Sequence, residues 1–164
     1  YVKDELLYNE IILNKKIVIG EKINLMEWTI ESEIDTLILG YKCQKATAKF
    51  RGRIYEAYFS NDLNQYGGPW KFDGLPGLIL SIKSLDNYFI VEPIKIVKNS
   101  STEQTIVNIY KEEPIISWDT FKKNLEAKLR EQLERLKSIS EDGEGGSIKI
   151  TDKIEDLEIP ELKF

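Results

Sequence analysis

Residues 46–59, with the sequence ATAKFRGRIYEAYF, decide the fold of this chain. Side chains alternate in character on both sides of Arg51-Gly52, and a period of two is typical of β-strands with one buried face. Two such runs joined by a short segment containing glycine predict a β-hairpin. One face carries Ala46, Ala48 and Phe50 before the turn, and after it Tyr55, Ala57 and Phe59 alternate with Ile54, Glu56 and Tyr58.

The chain that follows this hairpin predicts more antiparallel strands. Residues 61–77 are rich in Gly, Pro, Asn and aromatic residues, which indicates a loop. Residues 78–84 and 88–97 then form a second predicted hairpin, and residues 105–110 are a further strand candidate. Each connection is too short for a parallel crossover, so we expect an antiparallel meander.

The chain that precedes the hairpin has the same character. Residues 1–20 contain apolar clusters separated by Asn14-Lys15-Lys16 and ended by Gly20, which predicts a strand, a turn and a strand. Residues 25–34 alternate in polarity, with Met26, Trp28 and Ile30 on one face, and predict a half-buried strand.

One amphipathic helix interrupts the β pattern. Ser117 is a predicted N-cap, and two glutamates stand four residues before arginines, in the order that stabilises a helix, at Glu126/Arg130 and Glu131/Arg135. The apolar stripe either covers a sheet as core or binds a partner. Its members are Trp118, Phe121, Leu125, Leu129, Leu133 and Leu136.

These elements predict an α+β protein that is mainly β. We expect a curved, half-barrel-like antiparallel meander with the long amphipathic helix packed on one face. Residues 1–164 form one predicted domain, with a flexible acidic loop at 138–147. Because residue 1 is tyrosine rather than methionine and residues 1–20 already have strand character, we expect that the segment is either processed by removal of a leader or truncated.

Composition excludes several classes of function. The net charge is −5, with acidic and basic residues interleaved along 164 residues, which argues against nucleic acid and anionic lipid as partners. No apolar run approaches the roughly 20 residues of a transmembrane helix. Histidine is absent and Cys43 is the single cysteine, so Ser-His-Asp, Cys-His and cysteine- or histidine-based zinc sites are impossible. We therefore predict no catalytic residues, no metal site and no cofactor.

Cys43 itself has two interpretations. It lies in a strand-like run, where a buried and inert thiol is expected. A redox or copper(I) role would need an activating base or soft ligands, and Met26 is the one methionine in the chain.

The segment GLPGLI, residues 74–79, has a physical interpretation of its own. Leu75-Pro76-Gly77-Leu78 has the composition of a type II turn, with Pro76 fixing φ and Gly77 accepting a positive φ. Gly74 permits a bend or a close backbone approach. The following residues, Leu78, Ile79 and Leu80, are typical of a strand buried on both faces, with Trp70 and Phe72 large enough to pack over it.

Four blocks of sequence carry a family resemblance. They are GYKCQKA (40–46), FRGR (50–53), GGPWKF (67–72) and GLPGLI (74–79), and the tail residues 160–162, PEL, match a common family ending. In these blocks the chain resembles the GLPGLI family. The resemblance implies an exported protein of Bacteroidetes-type bacteria, with a leader and further strands ahead of this segment, and assigns no activity.

The segment before β-strand residues 78–84 is either core or binding site. In the first interpretation it is a rigid corner of the core. In the second it is the rim of an apolar groove in which Trp70, Phe72, Leu75 and Pro76 meet a ligand.

The leading functional hypothesis is a non-enzymatic binding protein of the periplasm or outer membrane. A sheet with one helix is similar to the half-barrel of periplasmic lipoprotein carriers, which implies an interior that accepts an apolar ligand or an extended peptide. The alternative is an envelope interaction or structural protein with no ligand cavity. A hydrolase is disfavoured because the carboxylates fall on helix and loop positions without converging.

Overall fold

The structure is a computed structural model that describes residues 5–12, 14–23, 25–98, 109–110, 112–139, 146–149 and 161–163. It contains ten strands and one helix in these ranges. The architecture is α+β and mainly β, with one helix packed on predominantly antiparallel sheets, as the sequence predicts. The meander is divided, however, because the strands form two main sheets rather than a single curved one.

The smaller sheet has three strands. Strands β1 (Glu5–Ile12) and β2 (Lys15–Lys22) form the predicted hairpin around Asn14, and β8 (Ile115–Ile116) pairs with β2 in parallel. The expectation of purely antiparallel pairing is therefore corrected at β8. Gly20 does not end the strand either, because a Cβ there would lie 2.7 Å from the Ile115 side chain, so glycine is what admits β8 to the sheet.

The larger sheet is the predicted antiparallel meander. Its five strands lie side by side in chain order, and the central hairpin turns at Arg51 and Gly52, which both have positive φ. The strands are β3 (Thr29–Ile38), β4 (Tyr41–Phe50), β5 (Arg53–Ser60), β6 (Leu78–Ser84) and β7 (Ile90–Val91).

Two strand predictions differ from the structure. The strand expected at residues 25–34 is shifted to β3, because the chain reverses at Leu39 and Gly40, which both adopt positive φ. The strand expected at residues 88–97 shrinks to β7, which ends just before Pro93, a residue with no N–H for a sheet. Of the strand expected at 105–110, residues 105–108 lie outside the described residues and 109–110 form a turn.

The main core lies on one face of the larger sheet. The register opposes Ala46 to Ala57 and Ala48 to Tyr55, so the alternating positions of the central hairpin do share one buried face. Small side chains on β4 leave space above the sheet for large ones from outside it. The cluster comprises Met26, Ala46, Ala48, Phe50, Tyr55, Ala57, Phe59, Phe72, Leu75, Ile79 and Ile82.

A second apolar cluster lies on the opposite face, at one end of the sheet. Cys43 is fully buried there beside Leu63 and Leu80, as the inert interpretation expects. Burial raises the pKa of the Cys43 thiol, which keeps it protonated at neutral pH.

The helix α1 (Trp118–Ile139) begins as predicted. The Ser117 hydroxyl accepts the Thr120 N–H at 3.2 Å, and the predicted pairs form on the exposed face, with 2.6 Å between Arg130 and Glu126 and between Arg135 and Glu131. Phe121 packs against Ile12 and Ile19, so the helix covers the smaller sheet. The core face of the larger sheet is covered instead by Phe72 and Leu75, from the connection between β5 and β6.

The end of the chain changes one boundary. The acidic loop predicted at 138–147 is shorter than expected, since α1 continues to Ile139 and β9 (Ser147–Ile148) begins at Ser147; residues 140–145 lie outside the described residues. Strand β9 pairs with β10 (Leu162–Lys163) in a separate two-stranded antiparallel sheet. Both strands contact α1.

Polar side chains occupy the middle of the larger sheet's other face. The Glu56 carboxylate lies 2.7 Å from Lys45 Nζ and 3.2 Å from Lys83 Nζ, and Tyr58 donates a 3.3 Å hydrogen bond to it. Burial raises the pKa of Glu56, but hydrogen bonds from Lys45 and Lys83 outweigh that effect and hold it below the usual 4.5.

Glu56 is therefore expected to shape the acid denaturation of the protein. A carboxyl group whose folded pKa is lowered stabilises the protein above its unfolded pKa, and this contribution is lost as the pH falls through the folded pKa. Glu56→Gln should lower the melting temperature near pH 7 and reduce its fall below pH 4.5. Glu131→Gln is the control, since hydrogen bonding from Lys128 also lowers the Glu131 pKa, but on an exposed helix face. If the melting temperature of Glu56→Gln falls between pH 7 and pH 3 by as much as that of the unsubstituted chain, this role is contradicted.

Candidate functional site

The connection between β5 and β6 covers the core face of the larger sheet. Its residues 67–68 run against β6, where the Ile79 N–H donates to the Gly67 carbonyl at 2.8 Å. A Cβ on Gly68 would lie 2.8 Å from the Ile79 side chain and 2.9 Å from the Phe72 carbonyl oxygen, so this close approach requires glycine. The path brings Phe72 over the centre of the sheet, where it is fully buried.

Three partly exposed aromatic rings surround Phe72. The ring centroids of Trp70, Phe89 and Trp28 lie 5.4, 5.6 and 6.4 Å from that of Phe72, and Trp70 lies 5.6 Å from Phe89. Beneath them Phe72 makes an edge contact with Tyr55 at 4.8 Å. We call Trp28, Trp70 and Phe89 the aromatic surface.

The aromatic surface is held by hydrogen bonds as well as by packing. The Trp28 indole N–H donates to the Asp73 carbonyl at 2.7 Å. Phe89 is fixed at both backbone atoms, since its N–H donates to the Ser84 hydroxyl at 2.9 Å and its carbonyl accepts the Ser84 N–H at 2.8 Å. Rings fixed in this way present a surface whose shape changes little when a ligand arrives.

Trp70 has an unusual backbone. Its φ is 56°, in the left-handed region that a bulky residue occupies only when its surroundings compel it. Such a conformation costs on the order of 1–3 kcal/mol and is concentrated at functional sites. With 39% of its surface exposed, Trp70 is the most open member of the aromatic surface.

Behind Trp70 the ammonium group of Lys71 lies in an aromatic cage. Its Nζ is 3.5 Å from the ring centroid of Tyr8, 4.8 Å from that of Trp70 and 5.4 Å from that of Trp118. Lys71 is only 5% exposed, so these cation–π contacts operate away from water, where they are strongest. The two residues after Trp70 thus anchor the loop: Lys71 in the cage and Phe72 in the main core.

The cage joins the two sheets through a buried ion pair. Arg51, at the tip of the central hairpin, pairs with Glu21 of β2, and its guanidinium lies 3.5 Å from the ring centroid of Trp118. Tyr8 donates a 2.6 Å hydrogen bond to the same carboxylate. Burial and the Glu21 hydrogen bond raise the pKa of Tyr8, while Arg51 opposes them, so its hydroxyl stays protonated.

An open cavity lies apart from these contacts, between the β1–β2 hairpin and α1. Its volume is about 530 Å³, within the range of ligand pockets. The lining combines an apolar floor with charged groups: Ile12, Ile17, Ala127, Asn124, Lys15, Lys128 and Glu131.

The four residues predicted to form the rim of a groove are separated by burial. Phe72 and Leu75 are 0% and 4% exposed and belong to the main core, as the corner interpretation expects. Trp70 and Pro76 are exposed. A ligand contact in this region therefore remains a prediction for Trp70 and Pro76, while Phe72 supports the exposed rings from below.

The segment 74–79 differs from the predicted type II turn. The positive φ belongs to Gly74, at 89°, whereas Gly77 has none. Gly77 is required for space instead, because a Cβ there would lie 2.4 Å from the Ser60 carbonyl oxygen. The strand that follows is buried on both faces as expected, with Ile79 in the main core and Leu80 in the cluster around Cys43.

Sequence reasoning missed two members of the aromatic surface. The alternation predicts Trp28 on a strand face, and the predicted hairpin includes Phe89 in its second strand, but both residues precede their strands. Neither residue has a local pattern that points to Trp70. The cage residues Tyr8 and Trp118 were likewise expected only as parts of a strand and a helix.

Two kinds of feature were sought in the described part of the chain: clusters of metal-ligating side chains and helices able to cross a membrane. No group of three or more potential metal-ligating side chains occurs among those residues. Within the same ranges, the helix is too polar to span a membrane.

Comparison with known proteins identifies a family. The model of a family described as N-glycanase peptide, N-terminal domain, matches residues 6–122. A solved structure described as "Structure of PNGF-II in C2 space group" shares 22% sequence identity, covers 70% of this chain and 21% of its own, and has a TM-score of 0.47. The chain thus spans about a fifth of that protein's length. No curated protein matches the chain.

This result corrects the family predicted from sequence. The matched range contains the GLPGLI hexapeptide and three other blocks on which the resemblance to the GLPGLI family rested, but the family it identifies is a different one. The likeness to lipoprotein carriers is wrong for the same reason. A short hexapeptide that turns the chain and covers a sheet can be required by packing alone, and therefore does not identify a family.

Proposed function

The chain belongs to the family of N-glycanase peptide N-terminal domains, and on that basis we propose that it is a non-catalytic domain that binds the glycoprotein substrate. In this proposal the chemistry is performed outside this chain.

The exposed ring of Trp70 is the observation that carries this proposal. The backbone of Trp70 has a φ of 56°, and its ring contacts both the core side chain Phe72 and the caged ammonium of Lys71. A rigid aromatic residue gives a large contact area without a large loss of side-chain entropy, which is why such residues dominate binding surfaces.

The use of the ionisable groups supports a non-catalytic role. Two partly buried groups with displaced pKa values serve the fold: Glu56 lies between Lys45 and Lys83, and Tyr8 binds Glu21 between the sheets. Structural ion pairs of this kind shift pKa values without any role in a reaction.

Two further predictions belong to this proposal. The periplasmic or outer-membrane location predicted from sequence would place the domain where it can meet glycoproteins from outside the cell. The cavity of about 530 Å³ between α1 and the β1–β2 hairpin favours a second candidate function, the binding of an apolar ligand or extended peptide between sheet and helix.

The proposal can be tested with a pair of ligands. An N-glycosylated protein and the same protein with its glycans removed are immobilised, and binding of the chain is measured together with oligosaccharide release by mass spectrometry. We expect binding to the glycosylated form and no released oligosaccharide. Release by the chain alone, or no binding to either form, would refute the proposal.

A cavity-filling variant separates the two candidate functions. Ala127→Trp places a large side chain in the cavity and leaves the aromatic surface unchanged. Undiminished binding by this variant supports the aromatic surface. Loss of binding in Ala127→Trp, while the unsubstituted chain still binds, would indicate that the cavity is the binding site.

A further inference from the structure

From the composition of the aromatic surface we infer that its ligand is carbohydrate, namely the neutral pyranose rings of an N-glycan, with Trp70 as the stacking platform. This inference rests on the proposed function and names the part of the glycoprotein that is recognised. It concerns a site made by three segments distant in sequence, at Trp28, Trp70 and Phe89.

The chemistry of the exposed rings matches a sugar. One face of a pyranose presents C–H groups, which pack against the negative face of an aromatic ring, while its hydroxyl groups point outward and need hydrogen bonds. At the edge of the aromatic surface lies Asp73, which is half-buried, accepts the Trp28 indole N–H through its carbonyl and holds the Gly74 N–H with its carboxylate at 2.7 Å. Aromatic rings bordered by a few polar groups are the usual composition of small-ligand sites.

The size of the surface argues against a protein domain as its occupant. A stable protein interface removes about 800 Å² from each partner. Complete burial of an aromatic side chain removes about 150–250 Å². Trp70 is 39% exposed and its two neighbours are half-buried, so the exposed area of the three rings together is at most about that of one whole aromatic side chain. That area suits one or two sugar rings.

Charge favours a neutral sugar over an anionic one. The ammonium group of Lys71 is enclosed by the rings of Tyr8, Trp70 and Trp118, and the residue is only 5% exposed, so it offers little contact to a ligand in solvent. The carboxylate of Asp73 at the edge repels a negative ligand and accepts hydrogen bonds from hydroxyl groups.

The test uses a free N-glycan oligosaccharide, without peptide, titrated into the chain and followed by calorimetry and by the NMR signals of the indole N–H groups. We expect binding that Trp70→Ala weakens about tenfold or more, the effect typical of removing an aromatic residue that dominates binding. Trp70→Phe should retain part of the affinity. Tyr41→Ala, which removes a half-buried ring from the opposite face of the sheet, should leave the affinity unchanged.

The fold of each variant is checked by thermal denaturation. If Trp70→Ala does not fold, Trp70→Gly replaces it, because glycine adopts a φ of 56° without strain. Equal affinity of the unsubstituted chain and the Trp70 variant would overturn the inference. Binding of the chain to glycosylated and deglycosylated protein alike, with no binding to the free oligosaccharide, would also overturn it and leave the proposed function standing.

Discussion

Gly77→Ala is expected to destabilise this protein by about 3 kcal/mol or more, at the upper end of the cost of overpacking a core. The added Cβ would lie 2.4 Å from the Ser60 carbonyl oxygen and 2.6 Å from the Asn61 side-chain oxygen. The nearest atom belongs to the backbone of the last residue of β5, so it cannot move aside by a change of rotamer. Relief requires that the end of β5 separates from the segment that leads into β6.

Gly40→Ala is the matched control for this prediction. Gly40 has a φ of 86° and no atom within 4 Å of the position of a Cβ, so the substitution carries backbone strain alone. That strain costs about 1–2 kcal/mol. Urea denaturation of the two variants compares both effects, and a Gly77→Ala variant as stable as Gly40→Ala would contradict the spatial explanation.

Arg51→Ala is expected to cost about 3–5 kcal/mol, because it leaves the carboxylate of Glu21 buried without its cation. The side chains of Arg51 and Glu21 are only 11% and 8% exposed. The substitution also removes the guanidinium that stacks on Trp118 at 3.5 Å and so loosens the contact between the central hairpin and the start of α1. Hydrogen exchange should therefore accelerate in β1, β2 and α1 more than in β4 to β6.

Arg53→Ala provides the comparison from the other side of Gly52. Arg53 pairs with Asp86, whose side chain is 50% exposed, and an exposed pair contributes about 0–1 kcal/mol. The variant Glu21→Gln in the Arg51→Ala background should recover part of the lost stability, since it removes the uncompensated charge. Equal destabilisation by Arg51→Ala and Arg53→Ala would refute the role of Arg51 as the link between the sheets.

The predictions for Gly77 and Arg51 depend on contacts that no local sequence pattern predicts. The sequence predicts that Arg51 lies in a hairpin turn, and the positive φ of 44° agrees. It contains no sign that this arginine meets Glu21, thirty positions earlier in the chain. Likewise the composition of Leu75-Pro76-Gly77 predicts a turn, but glycine is required at position 77 because the Ser60 carbonyl oxygen occupies the space that a Cβ would need.

Sequence alone determined the elements whose cause is local. Alternation at residues 46–59 determines a hairpin and which side chains face the core; the cap Ser117 and the apolar stripe determine where α1 begins; and the apolar run 78–80 determines a doubly buried strand. Each depends on the periodicity of the backbone and on residues within a turn or two.

Only the tertiary structure decided how these elements combine and which aromatic residues remain exposed. Of the pair that was expected to cover residues 78–80, Phe72 enters the core while Trp70 stays at the surface, although the two are separated by a single residue. Their difference arises because Gly68 lets the loop approach β6, Lys71 anchors it in a cage from β1 and α1, and Phe89 and Trp28 close around Phe72. Burial is a sum over neighbours that are distant in sequence, and the periodicity of one segment contains no information about them.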